Sequence, residues 1–201
     1  MRKLMLVRHA ASEQQPNVPA REWALSPTRQ ADAERLADLL APYASAAILA
    51  SDEPKAQQTA QPLADRLGLP VEIMAGLHEH ERRTASYMGH EMFQATMARF
   101  FAEPDTLVFG EETARQALVR FTKAVESALA THPYGDIAIF THGTVLSLFV
   151  ASQSTTDNPV DPMNFWWHLN LPAWVVFSVP GFTLLEARMR LPERSGDQGG
   201  A

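Results

Sequence analysis

Two histidines follow short apolar runs in matching contexts. Residues 4–7 lead into Arg8 and His9, and residues 137–140 lead, through a threonine, into His142. Runs of this length are too short to form a helix and are typical of buried strands. Functional residues collect beyond the carboxyl ends of the strands in an open α/β sheet. We therefore expect the two imidazoles to share a site.

The residues beside these histidines favour an anionic ligand. Arg8 offers a planar fork of donors that suits phosphate. Gly143 precedes an apolar helix pattern at 145–150, and the start of such a helix directs N–H groups and the positive end of its dipole at an anion. A neutral imidazole is a competent nucleophile near pH 7. Together these residues predict a pocket for a tetrahedral dianion, with an imidazole able to attack it.

Strand and helix patterns alternate along most of the chain. The predicted strands are residues 4–7, 46–50, 71–74 and 137–140, with a terminal hairpin at 174–179 and 182–187, and the predicted helices begin after Ser26 and Asp52 and span 93–101, 114–129 and 145–150. The alternation predicts a three-layer α/β/α sandwich around a mostly parallel sheet. We expect a single domain over 1–191, with a small helical insertion at about 78–110 and a disordered tail at 192–201.

Composition excludes several classes of protein. The 201 residues contain no cysteine and carry a net charge of −6. Disulfide frameworks and thiol catalysis are therefore excluded, and the acidic balance disfavours nucleic acid and anionic membranes as partners. The sequence also lacks an apolar run of the roughly 20 residues that a membrane-spanning helix needs. We expect a cytoplasmic protein whose partner is a small phosphorylated molecule.

Six segments carry a resemblance to a known family. In order they are Leu6-Val7-Arg8-His9-Ala10 with Ser12, Leu25-Ser26-Pro27, the stretch from Ser51 to Ala60, Leu77-His78-Glu79, Gly110-Glu111-Glu112-Thr113 and Thr141-His142-Gly143. This ordered set resembles the histidine phosphatase superfamily, also called phosphoglycerate mutase-like, over roughly residues 3 to 150. The resemblance implies the phosphoglycerate mutase-like fold and a phosphoric monoester hydrolase.

The resemblance also implies roles for single residues. His9 is the expected nucleophile, which becomes phosphorylated, and Arg8 and His142 are expected to hold the phosphoryl oxygens. Glu79 matches the acidic residue that protonates the leaving oxygen and then activates water. Lys55 falls where the family usually has a second arginine, and lysine supplies a point charge in place of two parallel hydrogen bonds. No metal or other cofactor is implied.

Several alternatives remain open for individual residues. Glu81 could serve in place of Glu79. His78, His80 and His90 suggest a metal site. His78 and His80 could place two imidazoles on one side of a strand, but no third ligand has convincing spacing. Arg82 and Arg83 could extend the anion pocket, with a solvated surface as the more ordinary interpretation. Tyr87, Met88 and the aromatic face of 93–101 could cover the pocket, and Trp166, Trp167 and Trp174 could form the surface of a homodimer or pack inward from strands.

Two other functions are compatible with the same residues. One is phosphoryl transfer of the phosphoglycerate mutase type, which needs an enclosed site that protects the phosphohistidine from water. The other is a non-catalytic protein that binds phosphate for regulation, which the lysine at position 55 motivates.

Overall fold

The computed structural model describes residues 1–15, 18–85 and 88–193 and contains one mixed sheet. Its strands are β1 (Arg2–Arg8), β2 (Ala47–Ala50), β3 (Val71–Ile73), β4 (Ile137–Thr141), β5 (Ala173–Val179) and β6 (Thr183–Arg188). The strand order is β3-β2-β4-β1-β5-β6, and β5 runs in the direction opposite to that of the other five strands. The first four strands in this order all end at one edge, where β1 and β4 are adjacent.

Helices cover both faces of the sheet. They are α1 (Gln30–Leu40), α2 (Pro54–Leu67), α3 (His90–Ala102), α4 (Ala114–Thr131), α5 (Gly143–Ser152) and α6 (Pro162–His168). On β1, Met5 and Val7 pack with α1 and α2, whereas Leu4 and Leu6 pack with α4 and α5. Successive strand residues point to opposite faces, so one buried strand supplies both cores. The expected three-layer sandwich is confirmed.

Helix α2 shows how local sequence fixes an element near the site. Pro54 occupies its first turn, where a missing N–H is tolerated, and Gly68 closes it in the left-handed conformation with φ of 65°. Between these residues Ala56, Ala60 and Leu63 are fully buried at helical spacing. The helix therefore starts immediately after β2 and its first turn faces the carboxyl edge of the sheet.

Most predicted elements are confirmed, but the region between α5 and β5 differs from the prediction. Trp166 and Trp167 lie on α6, which the sequence analysis did not predict, and only Trp174 packs inward from a strand. The interpretation of all three as strand residues was wrong. Ser26 precedes a 3₁₀ turn and pairs with Thr28 Oγ1 instead of capping a helix with its side chain.

Some predictions fall on other parts of the chain. Tyr87 and residues 194–201 of the expected disordered tail lie outside the described residues. Within the described ranges, no helix is both long enough and apolar enough to cross a bilayer.

Candidate active site

His9 stands at the carboxyl end of β1 and is held from three directions. Its backbone N–H donates to the Thr141 carbonyl at 3.1 Å, and the next amide, that of Ala10, donates to Thr59 Oγ1 at 3.0 Å. On the ring, His9 Nδ1 lies 2.6 Å from the Ala10 carbonyl oxygen. A carbonyl can only accept, so the hydrogen of the neutral ring is on Nδ1. The lone pair is then on Nε2.

His142 lies beside His9 at the start of α5. The two ring centroids are 5.1 Å apart, in an edge-to-face arrangement, and the His142 side chain is fully buried. His142 Nε2 is 2.7 Å from Ser51 Oγ. Its Nδ1 has no hydrogen-bond partner among the described residues. The structure thus brings together the two histidines that the sequence predicted to share a site.

Both imidazoles are neutral near pH 7. Burial is the largest cause that lowers the pKa of His9 well below 6.5, followed by repulsion from a protonated His142 and from the Lys55 charge. Burial and the Lys55 charge likewise lower the pKa of His142 well below its usual value. His9 therefore keeps an unprotonated nitrogen at physiological pH.

The guanidinium of Arg8 lies against the first residue of α5. A Cβ added to Gly143 would be 2.9 Å from Arg8 Nε and 3.0 Å from its Cζ, so a glycine is needed for this close approach. Arg8 Nη1 donates to the Leu169 carbonyl, and its Nε is buried without a partner in the described chain. Burial lowers the pKa of Arg8 to about 10, which leaves the side chain charged at neutral pH.

Glu79 connects the loop after β3 to α5. One carboxylate oxygen accepts from the His80 backbone N–H at 2.9 Å and the other from the Thr144 backbone N–H at 3.1 Å. Burial alone would raise the pKa of Glu79, but attraction to Arg82 and to a protonated His142, with these two hydrogen bonds, lowers it to about 2. Glu79 is therefore ionised in the unliganded protein.

Glu81, the alternative to Glu79, has a different environment. Its carboxylate pairs with Arg83 Nη2 at 3.1 Å and lies 3.3 Å from His78 Nε2. The structure therefore places Glu79, and not Glu81, against α5.

Lys55 is tied to a residue that the sequence analysis did not select. Its Nζ is 2.5 Å from Glu53 Oε2 and donates to the Ala20 carbonyl at 2.6 Å. The other oxygen of Glu53 accepts from the Glu79 backbone N–H at 2.9 Å and lies 3.4 Å from His142 Nε2. Glu53 is only 3% exposed. It is thus the hub that joins three predicted site residues.

Two glutamates of the 110–113 motif hold the loop that follows Glu79. Glu112 accepts from the Glu81 backbone N–H at 2.9 Å and from Arg120 Nη2 at 2.5 Å. Glu111 accepts from the Arg83 backbone N–H at 2.8 Å. The motif, to which the sequence analysis gave no role, therefore fixes the backbone on which Glu79 and its neighbours stand.

The three histidines of the metal alternative do not converge. His80 Nε2 is 3.0 Å from the Glu112 carbonyl, and His90 lies on α3 with its Nε2 2.6 Å from Gln94 Nε2. In the described part of the chain, no three histidine, aspartate or glutamate side chains are grouped so that they could hold a metal ion.

Comparison with known proteins gives the family. The model of the histidine phosphatase superfamily (branch 1) matches residues 4–173. The chain belongs to this superfamily. No curated protein matches the sequence.

Solved structures share the fold of this histidine phosphatase superfamily member. A mycobacterial glucosyl-3-phosphoglycerate phosphatase is 21% identical, with 89% of this chain and 90% of that chain covered and a TM-score of 0.72. A phosphoserine phosphatase variant from Entamoeba histolytica is 16% identical, with 94% and 97% covered and a TM-score of 0.74. An Escherichia coli protein described as a putative alpha-ribazole-5'-P phosphatase is 20% identical, with 94% and 97% covered and a TM-score of 0.71.

Proposed function

We propose that this protein is a metal-independent phosphatase that hydrolyses a phosphomonoester through a phosphohistidine on His9. One observation carries the proposal. The hydrogen bond from His9 Nδ1 to the Ala10 carbonyl at 2.6 Å directs the lone pair of a neutral imidazole to Nε2. A fixed, unprotonated nitrogen next to a partly buried arginine suits nucleophilic attack on phosphorus.

The proposed first step is an in-line displacement. His9 Nε2 forms a bond to phosphorus while the bond between phosphorus and the alcohol oxygen breaks. Glu79 accepts the proton that an ester monoanion brings to the site and passes it to that oxygen. Arg8 and the start of α5 counter the charge of the transferring group. Glu53 beside Nε2 of His142 favours a hydrogen on that nitrogen. The charge of the bound phosphoryl group would raise the pKa of His142, and its Nδ1, once protonated, then donates a hydrogen bond to a phosphoryl oxygen.

The second step hydrolyses the phosphohistidine and regenerates the free His9 side chain. Glu79 takes a proton from water, the water oxygen bonds to phosphorus, and the bond between phosphorus and His9 Nε2 breaks to release inorganic phosphate. The names of the structural relatives agree with this chemistry, since they are phosphatases of phosphoserine, glucosyl-3-phosphoglycerate and, in the putative case, alpha-ribazole-5'-P. They differ in substrate and therefore support the reaction class alone.

Hydrolysis of 4-nitrophenyl phosphate in excess chelator tests the proposal. We expect turnover that resists the chelator and is lost in His9→Ala. The matched control is His168→Ala, which removes an exposed histidine on α6 and should retain full activity. Activity that needs metal, or that survives His9→Ala, would contradict the mechanism. Phosphoglycerate interconversion that depends on a bisphosphate primer would indicate the mutase alternative.

A second candidate function rests on Lys55. Its Nζ is engaged by Glu53 and by the Ala20 carbonyl, so the position that usually supplies a second phosphate-binding arginine is already paired. A protein of this kind would bind phosphate or vanadate without turnover. Saturable vanadate binding in a wild-type protein that hydrolyses no phosphomonoester would favour this function over the phosphatase.

A further inference from the structure

Arg82 differs from its neighbour Arg83 in where its charge lies. Arg83 is exposed and pairs with Glu81. Arg82 is partly buried, with its guanidinium carbon 5.1 Å from the centre of the Phe93 ring. Its Nη1 is buried and has no hydrogen-bond partner among the described residues. Buried donors are normally satisfied, so an orphaned guanidinium nitrogen indicates a missing acceptor.

The charge of Arg82 acts on the proposed proton donor. Among the influences that lower the pKa of Glu79, the Arg82 charge is the largest, and it also acts on Arg8 and His142. The phosphoryl oxygens already have Arg8, His142 and the start of α5. Arg82 follows Glu79 by three residues on the same loop, and its charge acts on the Glu79 carboxylate. Because Glu79 serves the leaving oxygen, we place the Arg82 charge on the side of the site where the alcohol portion of the substrate lies.

The loop that carries Arg82 is held in place before any ligand binds. The Glu81 carbonyl accepts from the Glu111 backbone N–H at 2.9 Å. Gly110, with φ of 73°, fits closely under the loop, since an added Cβ would be 2.2 Å from the Glu81 oxygen and 2.9 Å from Arg82 Cα. On the other side, the Phe93 ring supports the guanidinium. Such a fixed cation loses little freedom when it binds an anion.

We propose that Arg82 forms a second anion subsite, and that the preferred substrates are phosphomonoesters whose alcohol portion carries a carboxylate or a second phosphate. This inference rests on the proposed function, because the phosphoryl group at His9 sets where the alcohol portion lies. The orphaned nitrogen and the fork geometry of arginine suit the oxygens of either anion. Phe93 from the helical insertion shapes the same subsite.

Matched esters of one carbon chain test the subsite. The phosphate ester of 3-hydroxypropanoate, the monophosphate of 1,3-propanediol and its bisphosphate differ only in the group at the far end. The readout is the ratio of kcat/KM for each anionic ester to that for the neutral one. We expect a preference of about 10- to 100-fold in wild type, the range of one hydrogen bond between charged groups. The anionic ester with the larger kcat/KM ratio identifies whether the subsite prefers a carboxylate or a phosphate.

Variants at two neighbouring positions assign that preference. Arg82→Gln should bring the ratio to about one, and Arg82→Lys, which keeps the charge without the fork, should restore part of it. Arg83→Gln is the control and should keep both the ratio and the activity. A wild type that does not discriminate among the esters overturns the subsite. So does an Arg82→Gln protein in which all the esters lose activity equally and the ratio persists.

Binding separates this inference from the proposed phosphatase. Titration calorimetry of the same three esters with the His9→Ala protein measures selectivity without turnover. Tighter binding of the anionic esters, lost on adding Arg82→Gln, supports the subsite even if wild type hydrolyses nothing, a result that would reject the phosphatase alone. Hydrolysis by wild type, together with equal binding of all three esters, would support the phosphatase and reject the subsite.

Discussion

Replacing Glu53 by glutamine should destabilise the fold strongly. The side chains of Glu53 and Lys55 are 3% and 7% exposed, and their charged atoms are 2.5 Å apart. Glutamine keeps the shape and an oxygen that can accept from the Glu79 N–H, but it leaves the Lys55 charge buried without a counter-charge. Breaking a buried pair from one side costs about 3–5 kcal/mol. We therefore expect the free energy of unfolding to fall by about 3 kcal/mol or more.

Urea unfolding at neutral pH of the single and double variants measures this effect. Lys55→Met in the Glu53→Gln protein removes the orphaned charge, so the double variant should be more stable than Glu53→Gln alone. The control is Glu34→Gln, whose carboxylate is 52% exposed beside Arg66. An exposed pair of this kind contributes about 0–1 kcal/mol. Two results would refute the reasoning. One is that the stability losses of Glu53→Gln and Lys55→Met add up to that of the double variant, and the other is that Glu53→Gln loses no more stability than the Glu34→Gln control.

Three further substitutions probe the site and its support. Gly143→Ala should displace the Arg8 guanidinium, whose Nε would lie 2.9 Å from the new Cβ, and weaken vanadate inhibition by about tenfold or more; unchanged inhibition would contradict the close approach. Below pH 6.5 the unfolded chain binds a proton at His9 that the folded protein, with its buried neutral imidazole, does not. The free energy of unfolding should therefore decrease as the pH is lowered. Urea titrations from roughly pH 5 to 6.5 should show this slope reduced in His9→Asn, by up to about 1.4 kcal/mol per pH unit, whereas equal slopes would place the pKa of His9 near its ordinary value. Thr113→Ala removes the N-cap of α4, whose hydroxyl accepts from the Gln116 N–H at 3.2 Å, and should cost about 1 kcal/mol in the same assay, with Thr113→Ser nearly neutral.

Local sequence was sufficient to predict most of the elements and the pairing of the two histidines. The apolar runs before His9 and His142 are short and uninterrupted, which predicts buried strands, and parallel neighbours end at the same edge. Helix α2 follows from Pro54 and Gly68 at its ends and a buried alanine face between them. These signals lie within one element each, so tertiary contacts are not needed to interpret them.

The network around Glu53 could not be predicted in the same way. Its carboxylate contacts Lys55 from its own element, but its other contacts, Glu79 and His142, lie on two distant ones. No spacing along the chain indicates such a hub. Arg82 and Arg83 are adjacent and chemically identical, and only the packing of Phe93 and the fixed loop turns one inward and leaves the other exposed.

Helix α6 had a signal that was available in the sequence. Asp161 precedes Pro162, a side-chain cap followed by a residue fixed at helical φ, and the structure shows the Asp161 carboxylate accepting from the Asn164 N–H at 2.6 Å. The run of aromatic residues that follows is also typical of strands, and the helix has only seven residues. In such a short element, hydrophobic periodicity alone does not distinguish a helix from a strand.

The environment of Glu79 sets an expected pH dependence for the proposed reaction. With a pKa of about 2, Glu79 is ionised in the free protein and has no proton for the leaving oxygen. A bound phosphoryl dianion would raise that pKa through like-charge repulsion, and an ester monoanion brings a proton with it. Hydrolysis of an alkyl phosphate should therefore slow as pH rises above about 6, the second pKa of such esters.

Comparison of two leaving groups checks this dependence. An alkyl alkoxide needs the proton and a 4-nitrophenolate does not, so Glu79→Gln should lower alkyl phosphate turnover by about 100-fold or more and change 4-nitrophenyl phosphate turnover much less. Equal losses on both substrates would mean that Glu79 acts through its hydrogen bond to the Thr144 N–H, holding α5 in place. A rate for the alkyl ester that rises with pH would mean that Glu79 is not the proton donor.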